Sequence, residues 1–425
     1  MSERDLTGGH GLLWLFVDMN SYFASVEQQL RPELRGLPVA VAPVMTESTC
    51  CIAASYEAKR FGIKTGTNVA EARRLCPGLV VVEARPPLYV RLHHEILEAV
   101  DSVLPVEEVL SIDEMYCRLG LSQREPEAAA ELGTAVKRAV KQRVGESLLC
   151  SVGLAPNRFL AKVAGEIQKP DGLTVITAED LPHKLYSLSL RDLPGIGRRM
   201  DARLERHGIR TVEQLCSLSK GRLREIWDGV VGERWWHALR GEEPHRPPTR
   251  RRSVGHSHVL PPEFRTPEGA LAVLTRLVHK AAARLRGMGY CAGGLAVRLS
   301  YTRKERWKAA TSFPHCQDTQ TMIQTLCGLW RERPEDGCPL KVSVVLYDLI
   351  PEASMTFSLF PEHRQRLKLT QAMDDINQRF GNNTVYLAAM HGSQRTAPMR
   401  IAFNHIPDET FEADGPESDP LEHTL

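Results

Sequence analysis

Asp18 and the adjacent pair Asp113-Glu114 constrain this chain more than any other feature. Each follows a run of apolar residues. Leu12-Leu13-Trp14-Leu15-Phe16-Val17 leads into Asp18, and Val109-Leu110-Ser111-Ile112 leads into Asp113 and Glu114. A short apolar run of this kind reads as a buried strand. An apolar core cannot satisfy carboxylates at the ends of two such strands. They need a cation, and three converging carboxylates would hold hard divalent ions through oxygen. Two ions about 4 Å apart would clamp the attacking and leaving oxygens of a phosphoryl transfer. Taken singly, an Asp at a strand end is more often a turn former or a helix cap.

The length, 425 residues, predicts two to four domains rather than one core. With 42% hydrophobic and 25% charged residues, the composition is globular. No stretch approaches the ~18 apolar residues that span a bilayer. The apolar run near the N-terminus contains Asp18 and lacks a small-residue cleavage site, which argues against a signal peptide. The ten cysteines include adjacent Cys50-Cys51 and no C-x-x-C. That usage predicts a reduced, cytoplasmic protein without structural zinc.

A net charge of +2 hides an uneven distribution. From Arg240 to Ala310 there are 15 Lys and Arg against 5 Glu and no Asp, while Asp408 to Leu425 carries seven acids and no Lys or Arg. The local fields matter more for binding than the sum.

Along the chain, apolar runs and helical patterns interleave. Strands are expected at Leu12–Val17, Pro38–Val44, Leu79–Val82 and Leu148–Gly153. Helices are expected at Tyr22–Leu30, Ala53–Phe61, Ala70–Leu75, Tyr89–Val103 and Ala128–Val144. Val106–Ile112 and Met115–Leu119 read as a strand pair around a tight turn at the acidic pair. This mixture predicts an α+β layer with helices on a sheet. Residues 180–242 read as short helices. Glu243–Arg252, rich in Pro and Arg, reads as a linker. Beyond it, strands at Val254–His258, Leu295–Tyr301, Lys308–Phe313 and Leu340–Leu346 surround an amphipathic helix, Pro267–Arg286. From about 352 the pattern weakens to a helix at Arg366–Phe380 and an end expected to be disordered. No internal repeat is visible.

Leu193-Pro194-Gly195-Ile196-Gly197 lies between two helical patterns. Gly195 and Gly197 permit a tight turn, and the N–H groups opening the next helix can bind a phosphate. With Arg198 and Arg199 following, the segment is either an ordinary helix–helix turn or a hairpin that grips a nucleic-acid backbone. The basic segment contains Arg250, Arg251, Arg252, Arg298, Arg303, Lys304, Arg306 and Lys308, with Tyr301 and Trp307 among them. Strand alternation would gather some of these on one sheet face suited to a duplex backbone; the alternative is a solvated face. Tyr56 and Lys59 lie one helical turn apart, and Lys169 opens a turn. A hydroxyl and two ammonium groups could hold a triphosphate, or each could be a surface residue.

At these residues the chain resembles the Y-family DNA polymerases, the translesion enzymes, and within them the DinB-like polymerase IV branch. The matching segments are Phe16–Phe23, Ser55–Gly62, Ser111–Glu114, Ser151–Lys162, Gln168–Gly172 and Leu193–Gly197. They occur in the family's order and spacing and cover about residues 10–350, more weakly to about 405. The resemblance implies an α+β, multidomain right hand. A ferredoxin-like palm would occupy 1–21 and 85–177, small fingers 22–84, and a helical thumb with a helix-hairpin-helix 178–243. A linker at 244–252, an α/β little finger at 253–352 and an extension at 353–425 would follow.

The resemblance also implies roles. Asp18, Asp113 and Glu114 would be catalytic and would bind two magnesium ions, with the Met19 carbonyl as a further ligand. Phe23 matches a steric gate against ribose, and Tyr56, Lys59 and Lys169 match triphosphate contacts. Gly195, Gly197, Arg198, Arg251, Arg298 and Arg303 would contact DNA. Lys59 stands where many members have Arg, Ala53 where some have a hydroxyl residue, and Met115-Tyr116 where Ala-Phe is commoner. Met355–Phe360 is similar to the family's clamp-docking peptide without its usual Gln, and Leu359 and Phe360 would fill the clamp pocket. The implied partners are primer–template DNA, deoxynucleoside triphosphates and the bacterial sliding clamp, with no membrane and a monomer on DNA. The implied activity is low-fidelity, template-directed DNA synthesis without a proofreading exonuclease. Two other readings compete: a non-catalytic repair accessory that keeps the fold, and a palm-fold nucleotidyl cyclase. Retention of all three acids argues against the first. The hairpin and the basic module have no use in the second.

Overall fold

The structure is a computed structural model and describes residues 11–245, 250–303, 305–334, 337–355, 361–394, 396–398, 401 and 406. Two compact units divide it, one within Met1–Pro247 and one within Pro248–Ala402.

The first unit opens with β1 (Trp14–Met19), α1 (Tyr22–Leu30), β2 (Val39–Ala42), β3 (Ala53–Ala54), α2 (Tyr56–Lys59), α3 (Val69–Leu75) and β4 (Val80–Glu83). It continues through α4 (Pro86–Asp101), β5 (Val106–Val109), β6 (Glu114–Arg118), α5 (Pro126–Arg143), β7 (Cys150–Ala155), α6 (Arg158–Ile167) and β8 (Leu173–Val175). Four short helices follow: α7 (Arg198–Arg206), α8 (Val212–Ser217), α9 (Lys220–Trp227) and α10 (Val230–Ala238). The main sheet has the order β5-β6-β1-β7-β8, and a small sheet has the order β3-β2-β4.

Strand β1 is central and buried on both faces. This explains its continuous apolar run in place of alternation. Burying Leu15, Phe16 and Val17 completely contributes roughly 1.5–3 kcal/mol each. Helix α6 lies against the face that carries Trp14, Phe16 and Asp18. Two glycines let it come close. A Cβ on Gly153 would sit 2.0 Å from the Ala161 carbonyl oxygen, and one on Gly165 would sit 2.8 Å from the Phe16 ring. Asn157 caps α6 through Leu160 N–H, and its amide donates to the carbonyls of Ala238 and Glu242 at 2.8 and 2.9 Å. The same residue therefore starts the helix and ties it to the end of α10.

Two expectations need correction here. The helical pattern over Ala53–Phe61 is a helix only at Tyr56–Lys59, because Ala53 and Ala54 pair with β2 as an edge strand. The Ser55 hydroxyl, which accepts from Ala58 N–H, marks the true start. The apolar run Val109–Ile112 is not strand to its end either: β5 stops at Val109, and Leu110–Asp113 forms the loop into β6.

The second unit contains β9 (Ser253–Val259), α11 (Pro267–Gly287), β10 (Tyr290–Tyr301), β11 (Arg306–Cys316), α12 (Thr319–Arg331), β12 (Pro339–Pro351) and α13 (Pro361–Phe380). Its sheet, β11-β10-β12-β9, is antiparallel throughout. Helices α11 and α12 cover one face and share its apolar core. The other face is basic. Arg298 opposes Lys308 across the β10–β11 ladder, and Ser300 opposes both Arg306 and Lys341. Arg298, Lys308 and Ser343 line a hollow of about 340 Å³ on this face. Helix α12 carried no sequence expectation.

Part of the basic count belongs elsewhere. Arg276, Lys280, Arg284 and Arg286 lie on α11. Arg276 is fully buried, and Arg286 forms a two-pronged pair with Asp374 of α13 at 2.5 and 2.9 Å. Tyr301 is in the core and Trp307 packs against it, so neither aromatic joins the basic face. Among the described residues no helix is long and apolar enough to cross a membrane.

Candidate active site

Asp18 and Glu114 are directly opposite in the antiparallel β1–β6 register. Directly opposite residues project on one side of a sheet, so the two carboxylates are neighbours. Asp113 sits one residue earlier, in the loop. Its carbonyl accepts from Met19 N–H at 2.8 Å, and its carboxylate accepts from the Ser111 hydroxyl at 2.6 Å. His93, buried on α4, lies 2.8 Å through Nδ1 from the Ile112 carbonyl oxygen and braces the same loop.

Each strand carboxylate is held by a lysine. Lys162 of α6 reaches both oxygens of Glu114 at 2.6 Å. Lys169 lies 2.9 Å from Asp18 and 2.7 Å from Glu166. Asp18 is 7% exposed. Burial pushes its carboxyl up to about 7, Lys169 opposes the rise, and Glu166 and Asp113 add to it. Asp18 and Glu166 hold the Lys169 ammonium well above the usual lysine range, although burial opposes them. Among the described residues no group of three His, Cys, Asp or Glu side chains lies together so as to hold a metal ion. The donor set still suits a hard divalent ion: carboxylate oxygens in register and a desolvated Asp18 that favours a cation.

Tyr56 and Lys59 face this cluster. The Lys59 ammonium lies 4.3 Å over the Tyr56 ring. Burial lowers the Lys59 ammonium, and the nearby Lys169 charge lowers it further. Burial raises the Tyr56 hydroxyl, which also feels Lys169 and Asp18. Phe23 on α1 is half-buried, its ring stacked on that of Tyr89. Asn20 Oδ1 accepts from Asp171 N–H at 2.7 Å and fixes the turn after Lys169.

The remaining site candidates are spread along the chain. Gly195 has φ +101°, a conformation that favours glycine, and Gly197 caps α7. Arg198 is exposed at the first turn of that helix. Arg251, Arg298 and Arg303 are exposed in the second unit. Leu359 and Phe360 lie outside the described residues. Sequence reasoning missed Lys162, Glu166 and His93. The available signal for the first two was their i, i+4 spacing on one helix leading to Lys169.

The comparisons with known proteins agree on one family. The model of the impB/mucB/samB family matches residues 17–166, and that of its C-terminal domain matches 251–359. A model described as the DNA polymerase-iota thumb domain matches 191–243, and a domain of unknown function matches 367–401. A DNA polymerase IV of Moorella thermoacetica is 37% identical over 385 residues, 88% of this chain and 95% of its own length. One from Pelotomaculum thermopropionicum is 31% identical over 88% of this chain and 94% of its own length. A solved Y-family DNA polymerase chimera of Dbh and Dpo4 superposes with a TM-score of 0.70 at 25% identity, covering 80% of this chain and 99% of its own. The chain belongs to the Y-family DNA polymerases, on the DNA polymerase IV branch. It is a template-directed DNA polymerase of translesion synthesis, with the right-hand fold of that family.

Proposed function

We propose that Asp18, Asp113 and Glu114, with the Met19 carbonyl, hold two magnesium ions at which deoxynucleotides are joined to a primer 3′-hydroxyl and pyrophosphate is released. The observation that carries this is the Asp18–Glu114 cross-strand pair beside the Asp113 loop, each strand carboxylate capped by a lysine. Bound there, divalent ions would lower the pKa of the hydroxyl and stabilise charge on the leaving group. The protein's own residues do the positioning. Lys169, which pairs with Asp18 and Glu166, would keep Glu166 as a partner and turn its charge to the triphosphate if Asp18 held a metal ion. Tyr56 and Lys59 complete that contact from the other side. Phe23 leaves no room for a 2′-hydroxyl.

Residues 1–21 and 85–177 act as palm, 22–84 as fingers, 178–243 as thumb and 253–352 as little finger. The turn at Gly195 and Gly197 with Arg198 grips the DNA backbone, as do Arg251, Arg298 and Arg303. Such contacts neutralise phosphates without reading sequence. The protein acts as a monomer in the cytoplasm, and Leu359 and Phe360 dock it on a sliding clamp. A pull-down unaffected by changing both residues to Ala would remove that last element.

Primer extension on an undamaged template tests the site. Wild type with magnesium and four deoxynucleotides extends in short runs, and Asp113→Ala with Glu114→Ala does not. Wild type that binds primer–template without extending it would favour the non-catalytic accessory.

A further inference from the structure

The loop Leu110–Asp113 is tied by its main chain to β6, to β1 and to α4. The Leu110 and Ser111 N–H groups both donate to the Glu114 carbonyl, at 2.9 and 3.3 Å. Met19 N–H, at the end of β1, donates to the Asp113 carbonyl. The Ile112 carbonyl instead meets α4, where His93 Nδ1 lies 2.8 Å away. The first two ties come from the strands that carry Glu114 and Asp18. The third comes from a helix that carries none of the acids.

His93 is fully buried, and so is Ile112. A carbonyl oxygen can only accept, so His93 Nδ1 carries the proton and Nε2 is bare. Nε2 is itself buried with no hydrogen-bond partner among the described residues. A buried ring with half its polar capacity unmet costs stability, and an apolar side chain would fill the place at lower cost. What the imidazole supplies and an apolar group cannot is the bond to Ile112.

That bond reaches Asp113 through one peptide unit. The Ile112 carbonyl and the Asp113 N–H belong to the same rigid plane, so fixing one orients the other. Asp113 N–H meets Ser111 Oγ at 3.4 Å, and the Ser111 hydroxyl donates to Asp113 Oδ1 at 2.6 Å. The helix therefore acts on the group that aims the carboxylate.

We infer that His93 is a positioning residue: by fixing the Ile112–Asp113 peptide it aims the Asp113 carboxylate, and so sets how tightly a divalent ion is held. The inference rests on the reading of Asp113 as a metal ligand. A ligand set tolerates displacements of only about 0.5 Å, less than a freed loop would allow.

The test is a manganese titration with primer–template and a non-hydrolysable deoxynucleotide, read by electron paramagnetic resonance as the half-saturating ion concentration. His93→Phe keeps the bulk of the ring and removes the donor. His93→Asn places an amide N–H near the position of Nδ1 and leaves a void. His93→Phe raises the half-saturating concentration about tenfold, the scale of one lost buried hydrogen bond. His93→Asn stays within about twofold of wild type, although its void lowers Tm more than His93→Phe does. The magnesium dependence of kcat follows the same order. If metal affinity tracks Tm instead, or if His93→Phe binds manganese as wild type does, His93 is a packing residue and the inference is overturned. Asp113→Asn is the reference. It weakens manganese binding more than His93→Phe, and adding His93→Phe to it gives no further change, because His93 acts through Asp113. A fully additive double variant would overturn the inference. If Asp113→Asn weakens binding and His93→Phe does not, the inference fails alone. If Asp113→Asn leaves binding unchanged, the reading of Asp113 fails and the inference falls with it. Should His93→Phe not fold, His93→Leu takes its place in the same titration.

Discussion

Lys162 and Lys169 in the first unit and Arg276 and Arg286 in the second are all drawn inward from solvent, but to different partners. The two lysines sit on Glu114 and Asp18, carboxylates that belong to the proposed metal site. The two arginines are tied down by the C-terminal segment. Arg276 donates to the Thr396 carbonyl and to Asn383, at 3.1 Å for the latter. Arg286 spans Asp374, the Gln317 carbonyl and the Thr319 hydroxyl. A lysine is a point charge on a flexible stem that another cation can displace. An arginine satisfied at several nitrogens is not readily replaced. At the proposed metal site Lys162 and Lys169 would thus be exchangeable place-holders, whereas Arg276 and Arg286 brace the second unit.

The comparison breaks first at the carboxylates. Asp113→Ala should cost at least about 10³-fold in kcat while the Kd for primer–template moves less than about twofold. A variant that lost both together would make Asp113 a folding residue. On the other side, Arg286→Ala strands Asp374 and should destabilise the second unit by about 3–5 kcal/mol. Thermal melting reads this as a lower Tm for that unit, and an unchanged Tm would deny the brace.

His279 sharpens the same contrast. It is buried on α11, and burial pushes its imidazole down to about 4, with Arg286, Arg276 and Lys280 adding and Asp374 opposing. Its folded value lies below its unfolded value. The stability it contributes is therefore complete above about pH 6.5 and is lost as pH falls toward 4, by about 3 kcal/mol. Denaturation against pH should show that slope in wild type and lose it in His279→Phe. The smallest effect belongs to a place-holder. Lys169→Met should raise the deoxynucleotide KM about tenfold, the scale of one charge-assisted contact, and lower Tm by less than Arg286→Ala does, because the raised Asp18 carboxyl can take up a proton in place of the lysine. A large fall in Tm would put Lys169 among the braces.

How far the sequence could be read follows from the same physics. The strand carrying Asp18 was legible because burial on both faces makes its run continuous. The helix spans of α1, α5 and α11 agreed within a few residues because their periodicity is strong. The start of α2 was not legible, since Ala53 and Ala54 fit a helical pattern as well as an edge strand and only pairing with β2 decides. The basic stretch was half legible. Counting charges found it, but α11 folds four of those cations away from the sheet face, which strand alternation alone could not foresee. The acids of the site stood out by their position after apolar runs. Their lysine partners did not, because Lys162 reaches Glu114 only through the close approach that Gly153 and Gly165 allow. The bond from His93 to the Ile112 carbonyl joins a helix to a loop nineteen positions on and has no local signal.

The most direct test of the account is the number of manganese ions bound with primer–template and a non-hydrolysable deoxynucleotide, read by electron paramagnetic resonance. Two ions per wild-type chain, and fewer in Asp113→Ala with Glu114→Ala, is the result the account predicts. The same number in both proteins would contradict it, because the ions would then be held by groups other than these carboxylates.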